Sequence, residues 1–115
     1  MKSPITTHVL DTMRGTPAVG IPVIFEIQSG SQEWKELARG VTNQDGRIGD
    51  LFPESKKLTP GIYRLTFQTA SYFEAAGVKG FYPQVQVVFE LREPITHYHI
   101  PLLLSPFGYS TYRGS

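Results

Sequence analysis

The sequence contains no cysteine. That absence excludes a disulfide framework, a thiolate nucleophile and any zinc or iron–sulfur site built on Cys, and it fits a reducing compartment. There is no run of about 20 apolar residues, the length a membrane-crossing helix needs. The longest apolar stretches, such as Leu102-Leu103-Leu104, are strand-sized. Charge of one sign is not in excess either: 11 Lys and Arg stand against 10 Asp and Glu, for a net charge of +1. So even a balance argues against a nucleic acid or an anionic membrane as partner. The opening Met1-Lys2-Ser3-Pro4 lacks the apolar stretch of a secretory signal. The closing Tyr112-Arg113-Gly114-Ser115 is not a peroxisomal address. A cytoplasmic protein is the expectation. A phosphate-cradling Gly-rich loop and a Gly-x-Ser-x-Gly elbow are also missing.

What remains is strand material. Ala and Leu together supply only 14 of the 115 residues, while Val, Ile, Thr and the aromatics supply 40 and Gly and Pro another 20. β-Branched and aromatic residues suit a pleated, half-buried surface, and Gly and Pro suit the turns between strands. The length fits one domain spanning 1–115, large enough for one core. Strands are expected over 5–10, 21–28, 33–42, 61–69, 84–91, 95–104 and 109–115, with a short piece at 47–51. In 61–69, Tyr63, Leu65 and Phe67 share one face; in 84–91, Val85, Val87, Phe89 and Leu91 do. Asn43-Gln44-Asp45-Gly46 is a strong turn signal. One short helix is expected around 71–77. There Ser71 and Glu74 have the spacing of a capping box, and Gly77 can take the left-handed position after the last turn. Seven or eight strands with one helix describe an all-β fold, a two-sheet antiparallel β-sandwich.

Three histidines carry the chemical interest. His97 and His99 are two apart on an expected strand and so point the same way. Tyr98, Ile100 and Leu102 point the other way and are apolar, so the histidine face looks away from the core. His8 shares parity with Thr6 and Leu10, which leaves its face open. These residues can be an ordinary polar face, a three-histidine zinc site, or a metal-free acid–base pair working near neutral pH. For the zinc site, no Asp or Glu occupies an obvious supporting position. Arg47 follows the Asp45-Gly46 turn, where a guanidinium can be a plain surface group or grip a carbonyl-rich ligand at two points. The tail from Tyr109 to Ser115 keeps strand propensity to its end, as a docked segment would; an edge strand is the plainer reading.

Several segments resemble the transthyretin-related family. They are Thr6-Thr7-His8-Val9-Leu10-Asp11-Thr12, Thr42-Asn43-Gln44-Asp45-Gly46-Arg47, His97-Tyr98-His99-Ile100-Pro101-Leu102-Leu103-Leu104-Ser105-Pro106 and the closing Tyr109-Ser110-Thr111-Tyr112-Arg113-Gly114-Ser115. The Tyr72-Phe73 and Phe81-Tyr82-Pro83 segments fit too. The resemblance points to the branch that hydrolyses 5-hydroxyisourate in urate degradation, because the carrier branch lacks the terminal Tyr-Arg-Gly-Ser and replaces the residues matching His8, Arg47 and His99. It implies a transthyretin-like sandwich assembled as a homotetramer. It also implies a reaction without cofactor or metal, with His8, Arg47 and His99 catalytic and with Tyr112, Arg113, Gly114 and Ser115 joining them in binding substrate. His97 is expected to support the site without being catalytic. The competing expectation is a transthyretin-like carrier of a small aromatic ligand.

Overall fold

In a computed structural model of the chain, residues 3–53, 56, 58–92 and 97–114 are described. Nine strands and one helix occur among them: β1 (Ile5–Asp11), β2 (Thr16–Pro17), β3 (Pro22–Gln28), β4 (Trp34–Val41), β5 (Arg47–Ile48), β6 (Gly61–Phe67), α1 (Thr69–Ala75), β7 (Val85–Leu91), β8 (Tyr98–Ser105) and β9 (Gly108–Thr111). They form two sheets. One runs β2-β1-β8-β9, with β5 also paired to β1; the other runs β4-β3-β6-β7.

Alternation in sequence becomes alternation in burial. Along β1 every second residue, from Ile5 through Thr7 and Val9 to Asp11, is buried, and Thr6, His8 and Leu10 between them are half-buried on the outer face. Val23 and Phe25, then Tyr63, Leu65 and Phe67, line the inner face of the second sheet and are almost fully buried. Phe25 stacks on Tyr63 with ring centroids 5.4 Å apart and meets Phe52 edge-on at 5.8 Å. The Tyr63 hydroxyl donates to the Thr59 carbonyl at 2.6 Å, so its one polar atom is paired. Truncating Phe25 to Ala would cost about 3–5 kcal/mol.

The two-sheet expectation stands, with one departure. Six of the seven strand pairs are antiparallel, but β1 lies parallel to β8, with Thr6 opposite His99 and His8 opposite Pro101. The pairing is pinned from inside by the buried Thr7 hydroxyl, which donates to the Ile100 carbonyl at 2.6 Å. Strand β2 was not expected, since no strand was placed between residues 10 and 21. It sits at the sheet edge, where a proline costs no ladder bond. The beginning of the expected strand at 95–104 falls partly outside the described residues.

The helix starts two residues earlier than expected, and the capping box does not form. Ser71 lies inside the first turn, where its hydroxyl reaches the Gln68 carbonyl at 3.4 Å. Tertiary contacts supply the start instead: Ala70 N–H donates to the Pro83 carbonyl and the Thr69 hydroxyl to the Tyr82 carbonyl. The end is as expected. Gly77 has φ +71°, its N–H donates to the Glu74 carbonyl, and that of Val78 donates to the Phe73 carbonyl. Tyr72 on this helix donates to buried Asp11 at 2.6 Å, and Asp11 also accepts from the Met13 and Arg14 amides. That network ties α1 to the end of β1.

Candidate active site

β1 is the spine of the site, because it has a neighbour on each side. On one edge it pairs with β5, which sets His8 opposite Arg47. On the other it pairs with β8, which sets Thr6 opposite His99. Thr6 and His8 share the outer face. From strand spacing and rise, His8 and His99 lie about 8 Å apart as diagonal neighbours.

The turn before β5 aims Arg47. The Asn43 side-chain oxygen accepts from the Asp45 and Arg47 amides at 2.9 and 3.0 Å, and the Gly46 amide donates to the Asn43 carbonyl. Gly46 has φ +72°, and a Cβ there would stand 2.5 Å from the Val9 carbonyl oxygen. Only glycine lets the turn close this tightly on β1. The Gly46 carbonyl then accepts from the Val9 amide at 2.8 Å, locking the turn to the spine.

The His8 ring is held below its usual value of 6.5, first by burial and then by the neighbouring Arg47 guanidinium; a hydrogen bond to the Asp45 backbone and the Asp45 charge pull the other way. A proton on His8 is therefore disfavoured at neutral pH. Across the spine, the Thr6 hydroxyl meets His99 Nδ1 at 2.8 Å and His97 Nε2 at 3.4 Å, and His97 Nδ1 meets the Ser3 carbonyl at 2.9 Å. A cavity of about 250 Å³ opens here, lined by Thr6, Thr7, Arg47, Ile48, Gly49, His97 and His99. Its mixture of imidazoles, a hydroxyl and a guanidinium suits a small, polar, planar ligand rather than a greasy one.

The expected site residues divide. Arg47 and His99 line this cavity, and His8 stands opposite Arg47 in the β1–β5 pair without lining it. Gly114 joins them through an isolated bridge, its amide donating to the His99 carbonyl at 2.7 Å. Tyr112 and Arg113 do not. Arg113 lies over the Tyr98 ring at 5.2 Å, on the inward side of β8. Both residues line a different cavity, of about 460 Å³, walled by Val87 to Arg92 of β7 and its end. That cavity is the larger of the two, but it is mainly apolar and lies beside β7 and β9, the end strands of their sheets among the described residues. We assign the chemistry to the smaller one, which holds the titratable groups. Ser115 lies outside the described residues. Sequence reasoning missed Thr6 as the link between the two histidines. Its parity with His8 was visible, but the parallel pairing that carries it to His99 was not. Among the described residues no group of three or more His, Cys, Asp or Glu side chains is placed to hold a metal ion.

Residues 5–114 match the model of the HIUase/transthyretin family. This chain belongs to that family. It is 47% identical over 111 residues to the 5-hydroxyisourate hydrolase of Salmonella typhimurium, covering 96% of this chain and 80% of that protein. It is 46% identical over 114 residues to the 5-hydroxyisourate hydrolase of Mus musculus, covering 98% and 96%. Among solved structures, the 5-hydroxyisourate hydrolase of Klebsiella pneumoniae superposes with a TM-score of 0.85 at 38% identity, over 98% of this chain and 99% of that one. Sea bream transthyretin in complex with thyroxine superposes with a TM-score of 0.89 at 33% identity, over 96% and 94%. The fold alone thus fits hydrolase and carrier alike.

Proposed function

We propose that this family member hydrolyses 5-hydroxyisourate, opening its six-membered ring to 2-oxo-4-hydroxy-4-carboxy-5-ureidoimidazoline as a step of urate degradation. One observation carries the reading: Arg47 and His99, with His97, line a cavity fit for a flat, polar ring, and β1 sets His8 opposite Arg47 at its side. A carrier of an apolar aromatic hormone has no use for that set.

The two histidines are unequal, and the inequality assigns their roles. Protonating His8 is opposed by burial and then by Arg47 beside it. His99 backs onto a hydroxyl and a second imidazole. His99 is therefore the base. It takes a proton from water as the water oxygen bonds to the ring amide carbon. Arg47 faces the carbonyl oxygen and holds the negative charge that builds there. The carbon–nitrogen bond then breaks, and the proton held by His99 passes to the departing nitrogen. Neutral His8, one N–H directed to the Asp45 backbone, offers a lone pair from its other nitrogen to a ring N–H of the substrate and fixes its orientation. No cofactor takes part.

The working form we infer is a cytoplasmic homotetramer. Among the described residues β4, β7 and β9 each leave an outer edge without a partner, and pairing between copies removes that liability. Tyr112 and Arg113, beside those β7 and β9 edges, would then serve contacts between copies. The test is the rate of ring opening by the whole protein and by His99→Ala and His8→Ala. Each variant should lose on the order of 10²–10⁴ in rate. A His99→Ala protein as fast as the parent would overturn the assignment.

A further inference from the structure

Three polar groups behind His99 form a chain with a direction. It ends on the Ser3 carbonyl, which can only accept, so His97 Nδ1, 2.9 Å away, must donate to it. A neutral His97 then carries its lone pair on Nε2, which faces the Thr6 hydroxyl at 3.4 Å. Thr6 has a single proton to give. If it gives that proton to His97, its oxygen is left to accept from His99 Nδ1 at 2.8 Å. Every contact then holds one proton. If instead Thr6 donates to His99, two lone pairs confront each other between Thr6 and His97. The first arrangement satisfies all three contacts, and the second satisfies only two.

We propose that Thr6 and His97 are positioning residues that keep the ring proton of a neutral His99 on Nδ1, which leaves the ring's lone pair on Nε2. The kinetic part of this inference rests on the hydrolase reading; the proton placement does not. Thr6 and His97 act through His99, by fixing its tautomer and by sharing the positive charge that forms on it as the water is deprotonated. His97 is on this account more than a filler of the polar face. Its two nitrogens are both engaged, one holding the segment that precedes β1 and one orienting Thr6.

The experiment uses the whole protein with 15N-labelled histidine, at a pH where the ring of His99 is neutral. The nitrogen shifts report which nitrogen carries the proton, and kcat and KM are measured on freshly made 5-hydroxyisourate. Three variants are compared with the parent. Thr6→Val removes the hydroxyl at nearly constant shape, Thr6→Ser keeps it, and His97→Asn keeps the donor toward Ser3 but removes the acceptor facing Thr6. The parent should show His99 protonated on Nδ1. Thr6→Val and His97→Asn should lose that preference and lower kcat about 10–100-fold with KM little changed, the scale seen when a group orienting a reactive imidazole is removed. Thr6→Ser should restore both. A parent protein with the proton on Nε2, or a Thr6→Val protein with unchanged tautomer and kcat, would overturn the proposal. A parent that does not hydrolyse the substrate yet shows the Nδ1 proton and its loss in Thr6→Val would sink the hydrolase reading and sustain the positioning chain.

Discussion

Gly114 packs so closely on His99 that a single methyl group should separate activity from stability. A Cβ at Gly114 would stand 2.7 Å from His99 Cδ2 and 3.1 Å from the His99 carbonyl oxygen, where ordinary contact begins at 3.4 Å. Either the ring or the tail must move by about 0.7 Å in Gly114→Ala, the difference between those two distances. The ring cannot yield freely, because Thr6 holds its opposite side at 2.8 Å. Displacing a reacting group by about 1 Å costs on the order of 10² in rate, so kcat/KM should fall about 10–100-fold. The fold has less at stake. Among the described residues the bond at risk is the Gly114 amide to the His99 carbonyl, at 2.7 Å. Losing it is worth about 1 kcal/mol, or roughly 4–8 °C in Tm for a domain near this size. The assay is initial rate alongside thermal unfolding on one preparation. A folded Gly114→Ala protein with parental kcat/KM would refute the reasoning, and so would a rate loss matched by collapse of the fold.

Other predictions follow from the same contacts. The ring of His8 should titrate below 6.5, and Arg47→Gln should move its midpoint up. Because the unfolded chain takes up this proton first, the His8 contribution to stability is complete above pH 6.5 and lost as pH falls toward the lowered folded value. An NMR midpoint at or above 6.5 would refute this. Arg47→Lys should lose about 10²–10³ in kcat, since a point charge cannot reproduce a planar fork against a developing oxyanion. Parental activity in that variant would remove Arg47 from the mechanism. Tyr72→Phe leaves buried Asp11 without one of its donors, so the urea midpoint should drop by the equivalent of about 1–3 kcal/mol at constant slope. Burial and Asp11 push the parent Tyr72 up to about 12, so its contribution is full below pH 10 and fades between 10 and 12.

Local signals in the sequence read well. The alternation in 61–69 gave the inner face of β6 correctly, because a strand's period of two survives any tertiary context. Asn43 to Gly46 announced the turn that aims Arg47, because its chemistry is confined to a few residues. What was illegible was long-range. No pattern in 5–11 or 97–105 states that the two strands run parallel or that Thr6 faces His99. That register is chosen by the packing of both sheets. The face of His8 was ambiguous for the same reason, and burial of Val9 on the opposite side resolved it. The capping box at Ser71 failed because carbonyls from residues 82 and 83, distant in sequence, took over the helix start. The tail read as one docked unit, yet alternation sends Arg113 inward over Tyr98 and brings Gly114 against His99.

The central claim is that this sheet face opens a ring rather than carries a ligand. The most direct measurement generates 5-hydroxyisourate freshly from urate with urate oxidase, adds the protein in the presence of a strong chelator, and follows the ultraviolet absorbance. The account predicts decay far faster than the spontaneous reaction, in proportion to protein added and untouched by the chelator. Decay no faster than the spontaneous rate, from folded protein, would contradict it.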